Sequence, residues 1–140
     1  MEKNEQTQIE KLLLILSKSW STESSSKWSH NNPAKGQCGV TTLVINDILG
    51  GEIRKTKLSA GWHFYNIING SRYDFTASQF NENIKYMDIL STREEAFSDT
   101  NQKQYVYLKE SVQKKYKMNE NNDRNKSHQG VKYKNQYKNN

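Results

Sequence analysis

The sequence predicts an α+β domain over residues 1–118, in which N-terminal helices pack on a small antiparallel sheet and a last helix closes the C-terminal end. Three observations predict it. Apolar residues recur at helical spacing at both ends of this stretch, first at Ile9, Leu12, Leu13, Leu16 and Trp20, then at Tyr105, Leu108, Val112 and Tyr116. Between them lie short aromatic and β-branched runs bounded by glycine and asparagine pairs. The charge is also divided: residues 1–100 carry a net −1 and residues 101–140 a net +7, which together give the +6 of the chain. The pI of 9.3 therefore belongs to the C-terminal end rather than to the packed part.

The first apolar stripe predicts a helix over 6–19. A polar stretch follows, with five serines or threonines among the seven residues 21–27, and reads as a loop. Asn32-Pro33 and Lys35-Gly36 keep the chain irregular up to Cys38, where a second helix begins and runs through Val40, Leu43, Val44 and Ile48 to a stop at Gly50-Gly51. Strands are expected at 52–58, 61–68 and 71–75. Asn69-Gly70 joins the last two as a two-residue type I′ turn. A short turn or helix at 78–83 and a strand at 84–90 come next. Ser91-Thr92-Arg93-Glu94 has the spacing of a capping box opening a short helix, and Thr100 caps the last one.

From Asn119 onward the 22 residues hold seven asparagines, and Val131 is their only clearly aliphatic side chain. Such a composition cannot bury enough apolar surface to offset its ordering entropy, so residues 119–140 are expected to form a disordered basic tail. The mean hydropathy of −1.04 agrees with a chain that is packed over only part of its length. A single cysteine excludes an intramolecular disulfide and fits a reducing compartment or a thiol kept for its reactivity. The polar N-terminus and the five-residue apolar run 12–16 are too short for a secretory segment or a membrane span. A cytoplasmic location and no membrane partner are expected.

Cys38 stands out because glycines lie two positions before it and immediately after it, and because it opens a helix. Unpaired N–H groups and the positive end of the helix dipole favour thiolate over thiol, lowering a free-cysteine pKa of ~8.5. The same N–H groups could hold the oxyanion of a tetrahedral intermediate. Cys38 also fits a small buried hydrophobe at a helix start. His63 lies on the central strand and Asp74 on its partner; a packed histidine and a solvent-facing carboxylate are their plain structural readings. Hairpin arithmetic links them. With Asn69-Gly70 at the turn, Ile68 pairs with Ser71, His63 faces Thr76 and Asp74 faces Tyr65. His63 and Asp74 are then diagonal neighbours on one face, roughly 7–8 Å apart at the backbone. A three-residue turn would put them on opposite faces. A carboxylate so placed could bond one imidazole nitrogen and aim the other at Cys38.

Cysteine on a helix start, histidine on a strand and aspartate on the next is the order found in papain-like and transglutaminase-like cores. Residues 12–115 resemble, more closely, the YunG-like family of small uncharacterised bacterial proteins. The resemblance is carried by Trp20-Ser21, Trp28, Asn32-Pro33, Gly36-Gln37-Cys38, Val40-Thr41, Asp47-Ile48-Leu49-Gly50-Gly51, the run from Gly61 to Asn66, Asp74-Phe75-Thr76 and Gln79-Phe80. It supports the domain and the Cys38, His63 and Asp74 positions, and implies no established activity.

The reading is a cysteine-dependent acyl-transfer enzyme of amidase, peptidase, deamidase or transferase type, acting on a small-molecule, peptide or protein substrate. Cys38, His63 and Asp74 are its catalytic candidates. Gln37 and Asn32 are candidate oxyanion donors, or loop residues capping the helix. Trp20, Trp28 and Trp62 are candidate walls of a substrate groove, or aromatic core. The alternative is a binding or regulatory module that keeps a papain-like scaffold without turnover. No cofactor or metal is expected: Cys38, His63, Asp74 and His30 lack the usual local spacing of zinc ligands. Because the core is not basic, any nucleic-acid contact would be tail-borne, non-specific and salt-sensitive. Limited proteolysis is expected to trim the chain from about Asn119 and leave a stable fragment; protection of Tyr133 and Tyr137 would contradict this.

Overall fold

Asn69-Gly70 folds as its sequence demands. Both residues have positive φ, 52° and 81°, the pair a type I′ turn requires. A computed structural model describes residues 3–132, with side chains described over 4–120. Its elements are α1 (Lys3–Ser19), α2 (Cys38–Leu49), β1 (Glu52–Leu58), β2 (Gly61–Ile68), β3 (Ser71–Tyr73), a 3₁₀ turn (Ala77–Gln79), β4 (Ile89–Ser91), α3 (Arg93–Phe97) and α4 (Gln102–Lys132). The strands form one antiparallel sheet in the order β3-β2-β1-β4. The architecture is α+β, as expected. Ile68 pairs with Ser71, Ile67 with Arg72 and Asn66 with Tyr73, which is the register the two-residue turn dictates.

β2 is covered on both faces. Phe64 and Ile68 join the apolar core with Val40, Leu43 and Val44 of α2, and Asn66 Nδ2 donates to the Thr42 carbonyl at 3.1 Å. The same core takes Leu12, Ile15 and Leu16 of α1 and Leu108 and Val112 of α4, so α2 is packed between the sheet and the terminal helices. Gly51 allows the turn from α2 into β1. Its φ is +82°, and a Cβ there would lie 2.2 Å from the Ile67 carbonyl oxygen.

The opposite face of β2 carries a polar layer. Tyr65 Oη lies 2.7 Å from Thr56 Oγ1, donates to Asp88 Oδ1 at 2.8 Å and accepts the Asp88 backbone N–H at 2.9 Å. Arg72 forks onto both carboxylate oxygens of Asp88 and holds that carboxyl below its usual range. The Met87 N–H is bound by Thr56 Oγ1 at 2.8 Å. These bonds explain why the strand expected over 84–90 shrinks to Ile89–Ser91. Backbone groups at 87 and 88 are satisfied by side chains rather than by a ladder, and Asp88 sits at a left-handed φ of 53°. β3 also stops short of Phe75, at Tyr73, because Asp74 turns the chain by accepting the Thr76 N–H on its own side chain.

Three local readings shift. Leu13 is 45% exposed, and Ile15 takes the core position instead. The short helix is capped by Thr92 with Glu95 three residues on, one position later than the Ser91 box. Asn101, not Thr100, caps α4 by accepting the Gln104 N–H at 2.9 Å. α4 itself continues beyond Tyr116 to Lys132, so 119–132, expected to lack regular structure, is helical in backbone. Residues 133–140, the remainder of the expected tail, lie outside the described residues. Extending a helix whose first turns are already packed needs no new nucleus. Leu16→Ala is expected to cost ~2–5 kcal/mol in chemical denaturation, because it empties a filled core site. Leu13→Ala is expected to cost under ~1 kcal/mol.

Candidate functional site

Cys38 is the first residue of α2, entered through Gly36 and Gln37. The next residue explains the local sequence. A Cβ on Gly39 would lie 2.7 Å from the Ala96 carbonyl oxygen and 2.7 Å from Asp99 Cβ and Oδ2. Only glycine lets the α3–α4 connection approach the helix start this closely. Asp99 uses that approach. Its Oδ2 accepts the Gly39 N–H at 3.1 Å and the Cys38 thiol at 3.4 Å. The Phe64 N–H, beyond the end of the β3 ladder, also donates toward the sulfur.

His63 comes from β2, on its polar-layer face, and is almost fully buried. Its Nε2 lies 2.6 Å from Asp74 Oδ2, with both side chains at most 5% exposed. Asp74 is held on every side: Tyr86 Oη donates to the same oxygen at 2.7 Å, and the Thr76 N–H reaches Oδ1 at 3.2 Å. A carboxylate only accepts, so Nε2 is the donor of this bond, and in the neutral imidazole Nδ1 keeps its lone pair. Nδ1 is buried and has no hydrogen-bond partner. Phe80 stands edge-on to the imidazole, ring centres 4.9 Å apart, and fixes its plane. Cys38, His63, Asp99, Trp62, Phe80 and Gln79 line one cleft of about 300 Å³, with Lys27 and Lys35 beside them.

The electrostatics correct one expectation. The Cys38 thiol is pushed up from its ordinary value, not down, first by burial and then by the negative charge of Asp99, against a smaller opposing effect of the Phe64 N–H. The helix start does offer a donor, at Gly39, but Asp99 takes it. Desolvation of its inner side raises the Asp99 carboxyl in turn, opposed by the bonds from Cys38 and Gly39 and by Lys27.

The other candidates divide. Trp62 is 42% exposed and lines the cleft, with Lys55 Nζ 4.4 Å and Lys57 Nζ 5.2 Å from its ring centre. Trp20 is core: its Nε1 donates to Thr41 Oγ1 at 2.9 Å inside the packing between α1 and α2. Trp28 packs against the core and meets His30 edge-on rather than walling the cleft. Gln37 is fully buried with its amide turned toward the Ser21 carbonyl, away from the cleft lining. Asn32 Nδ2 donates to the Gln79 carbonyl at 3.1 Å, so it ties loops together instead of awaiting an oxyanion. Gln79 completes that tie, accepting the Gly36 N–H and donating to Thr76. Among the described residues, no group of three or more His, Cys, Asp or Glu side chains is placed to hold a metal ion. No helix among them is long and apolar enough to cross a membrane.

Sequence reading missed Asp99 and Tyr86. The glycine after Cys38 signalled a close neighbour, but nothing local says that the neighbour comes from sixty residues further on.

Fold and site thus define a small α+β protein with a buried histidine–carboxylate pair beside a helix-start thiol. The chain belongs to the YunG protein family, whose pattern it matches over residues 8–117. It is 55% identical over 103 residues to the protein named "Uncharacterized protein YunG" of Bacillus subtilis (strain 168), across 74% of this chain and 90% of that relative. No solved structure matches it significantly.

Asp99 raises the thiol, so its neutral replacement must lower it. In Asp99→Asn, half-maximal alkylation of Cys38 is expected at a lower pH than in wild type, measured as iodoacetamide rate against pH. An unchanged profile would show that burial alone sets the thiol.

Proposed function

We propose that the cleft is a cysteine-dependent acyl-transfer centre of papain-like type, with Cys38 as nucleophile, His63 as base and Asp74 as the residue that orients it. One observation carries this reading: Asp74 holds Nε2 of His63, and the buried Nδ1 is left without a partner in the cleft that Cys38 also lines. A buried nitrogen lone pair without a donor costs stability, and such sites are commonly functional.

In this reading Nδ1 takes the thiol proton as sulfur attacks the acyl carbon, and the buried Asp74 carboxylate stabilises the imidazolium that forms. The carbonyl π pair moves onto oxygen, where the Gly39 N–H can donate once Asp99 has left it. Collapse expels the leaving group, which takes the proton from His63 and leaves a thioester. Water or an amine then repeats the sequence with His63 again as base. A neutral resting thiol suits this order, since proton transfer and attack occur together.

The second reading is a binding or regulatory module without turnover. The Asp99 carboxylate favours it, because Asp99 accepts the helix-start N–H of Gly39 and raises the thiol that it also binds.

Labelling with a thiol-directed acylating probe separates the two. Cys38→Ala is expected to abolish labelling. His63→Ala is expected to raise the pH of half-maximal labelling, because the base and the imidazolium that steadies the thiolate are both gone. Asp74→Asn is expected to weaken reactivity less than His63→Ala, since it disturbs orientation without removing the base. The same pH profile in wild type and His63→Ala would leave Cys38 as an ordinary thiol and favour the binding module.

A further inference from the structure

One oxygen of Asp74 carries two short bonds at once. His63 Nε2 donates to Oδ2 at 2.6 Å and Tyr86 Oη donates to the same atom at 2.7 Å, whereas Oδ1 takes the Thr76 N–H at 3.2 Å and the Thr76 hydroxyl at 3.5 Å. Burial and the Asp74 carboxylate both push the Tyr86 phenol above its ordinary value, so it stays protonated and donates. Tyr86 lies in a stretch without helix or strand between the 3₁₀ turn and β4, yet it is firmly placed. The Arg72 guanidinium stands 4.1 Å from the centre of its ring, and the Tyr65 ring meets it edge-on at 5.0 Å. Next to it the Met87 N–H binds Thr56 Oγ1, and Asp88 is gripped by Arg72 and Tyr65. Tyr65 also lies beside His63, but its hydroxyl is spent on Thr56 and Asp88, so Tyr86 is the phenol that meets Asp74.

We propose that Tyr86 is a positioning residue that tempers the Asp74–His63 pair by sharing its acceptor oxygen, and that Arg72 keeps it in that place. Two donors on one carboxylate oxygen draw on the same negative charge, so each bond is weaker than it would be alone. Tyr86 thereby fixes the direction of Oδ2 and limits how strongly Asp74 holds the Nε2–H. The Arg72 charge over the ring draws electron density from the phenol and makes it the better donor. The consequence for reaction rests on the acyl-transfer reading. There His63 takes a proton from the thiol and later releases it to the leaving group. An imidazolium held too tightly by Asp74 forms readily but gives its proton up slowly, and the shared oxygen sets the balance between the two steps. The sharing itself does not need Cys38 to react.

The test follows the Nε2 proton of His63 by NMR in the full chain, at one fixed pH, in wild type, Tyr86→Phe, Arg72→Gln and Thr76→Val. Phenylalanine keeps the ring packed against Arg72 and Tyr65 and removes only the hydroxyl. With its competitor gone the His63 bond tightens, and the proton is expected to move downfield. If Tyr86 were only a prop, Asp74 would loosen without it and the proton would move upfield or be lost to exchange. Arg72 is 38% exposed, so Arg72→Gln reads the same bond without emptying the core, and a smaller downfield move is expected. Thr76→Val, which alters the far oxygen, is expected to leave the proton nearly in place. Labelling of Cys38 by an acylating probe with an activated leaving group is the second readout, because release then needs no proton. Tyr86→Phe is expected to label roughly two- to ten-fold faster than wild type. An upfield or unmoved proton in Tyr86→Phe overturns the proposal, and a downfield proton with slower labelling overturns the balance assigned to it. The two readings fail separately. A downfield proton with labelling indifferent to His63→Ala removes acyl transfer and keeps the shared oxygen, and the reverse pattern removes the sharing alone.

Discussion

The length of the turn at Asn69-Gly70 governs how the site is arranged, because it decides which face of the hairpin each side chain occupies. Two turn residues pair Ile68 with Ser71 and bring Asp74 back on the His63 side. One more would invert every residue beyond the turn and send Asp74 to the α2 face, into Phe64 and Ile68. The turn is locally determined, since Asn and Gly tolerate the positive φ that both positions need. A strong local signal thus fixes a long-range arrangement. The polar layer then holds the result in place: Tyr86 and Thr76 fill the remaining acceptor capacity of Asp74, and Tyr65 with Arg72 anchors the segment that carries Tyr86.

At Cys38 two physical effects oppose each other, and their sizes decide the outcome. A helix start favours a negative charge by ~0.3–1 kcal/mol, reaching ~2 kcal/mol in partly buried geometry. Burying an ionised group without a partner costs several kcal/mol. A thiol that is 7% exposed therefore stays neutral unless a cation or a set of donors meets it. The opposite occurs here. The helix-start donor at Gly39 is already spent on Asp99, whose charge adds to the effect of burial. On the acyl-transfer reading, the thiol would react through a change at Asp99 or through proton transfer concerted with attack.

Much of the fold was legible in the sequence, and the parts that were not share a cause. α1, α2, β1, β2 and the hairpin follow from periodicity and turn chemistry, which are local. The strand at 84–90 was misread because Tyr65 and Thr56, twenty or more residues away, capture its backbone groups. Leu13 and Ile15 exchange roles because a helical stripe is broad, and only the neighbours of α1 decide which edge of it is covered. In the site, the His63–Asp74 contact was readable because one turn connects the two residues. The roles of Gln37, Asn32, Trp20 and Trp28 were not, because each is set by a partner outside its own segment: the Ser21 carbonyl, the Gln79 carbonyl, Thr41 and the core.

Asp99 is the clearest case of such a remote partner, and it joins the two halves of the site. Gly39 has no Cβ, so the α3–α4 connection can close on the start of α2; because it closes, a carboxylate reaches Cys38. His63 has its own carboxylate and needs nothing from Asp99. The cleft residues Cys38 and His63 are thus each met by an acid, and the two acids differ in character. Asp74 is buried and bonded by four donors, whereas Asp99 is bound through one oxygen and exposed on its outer side. A fixed carboxylate suits the steadying of an imidazolium, since its dipoles need not reorganise when charge develops. The acidity of Cys38 is thereby tied to a residue of the α3–α4 connection, sixty-one positions further along the chain.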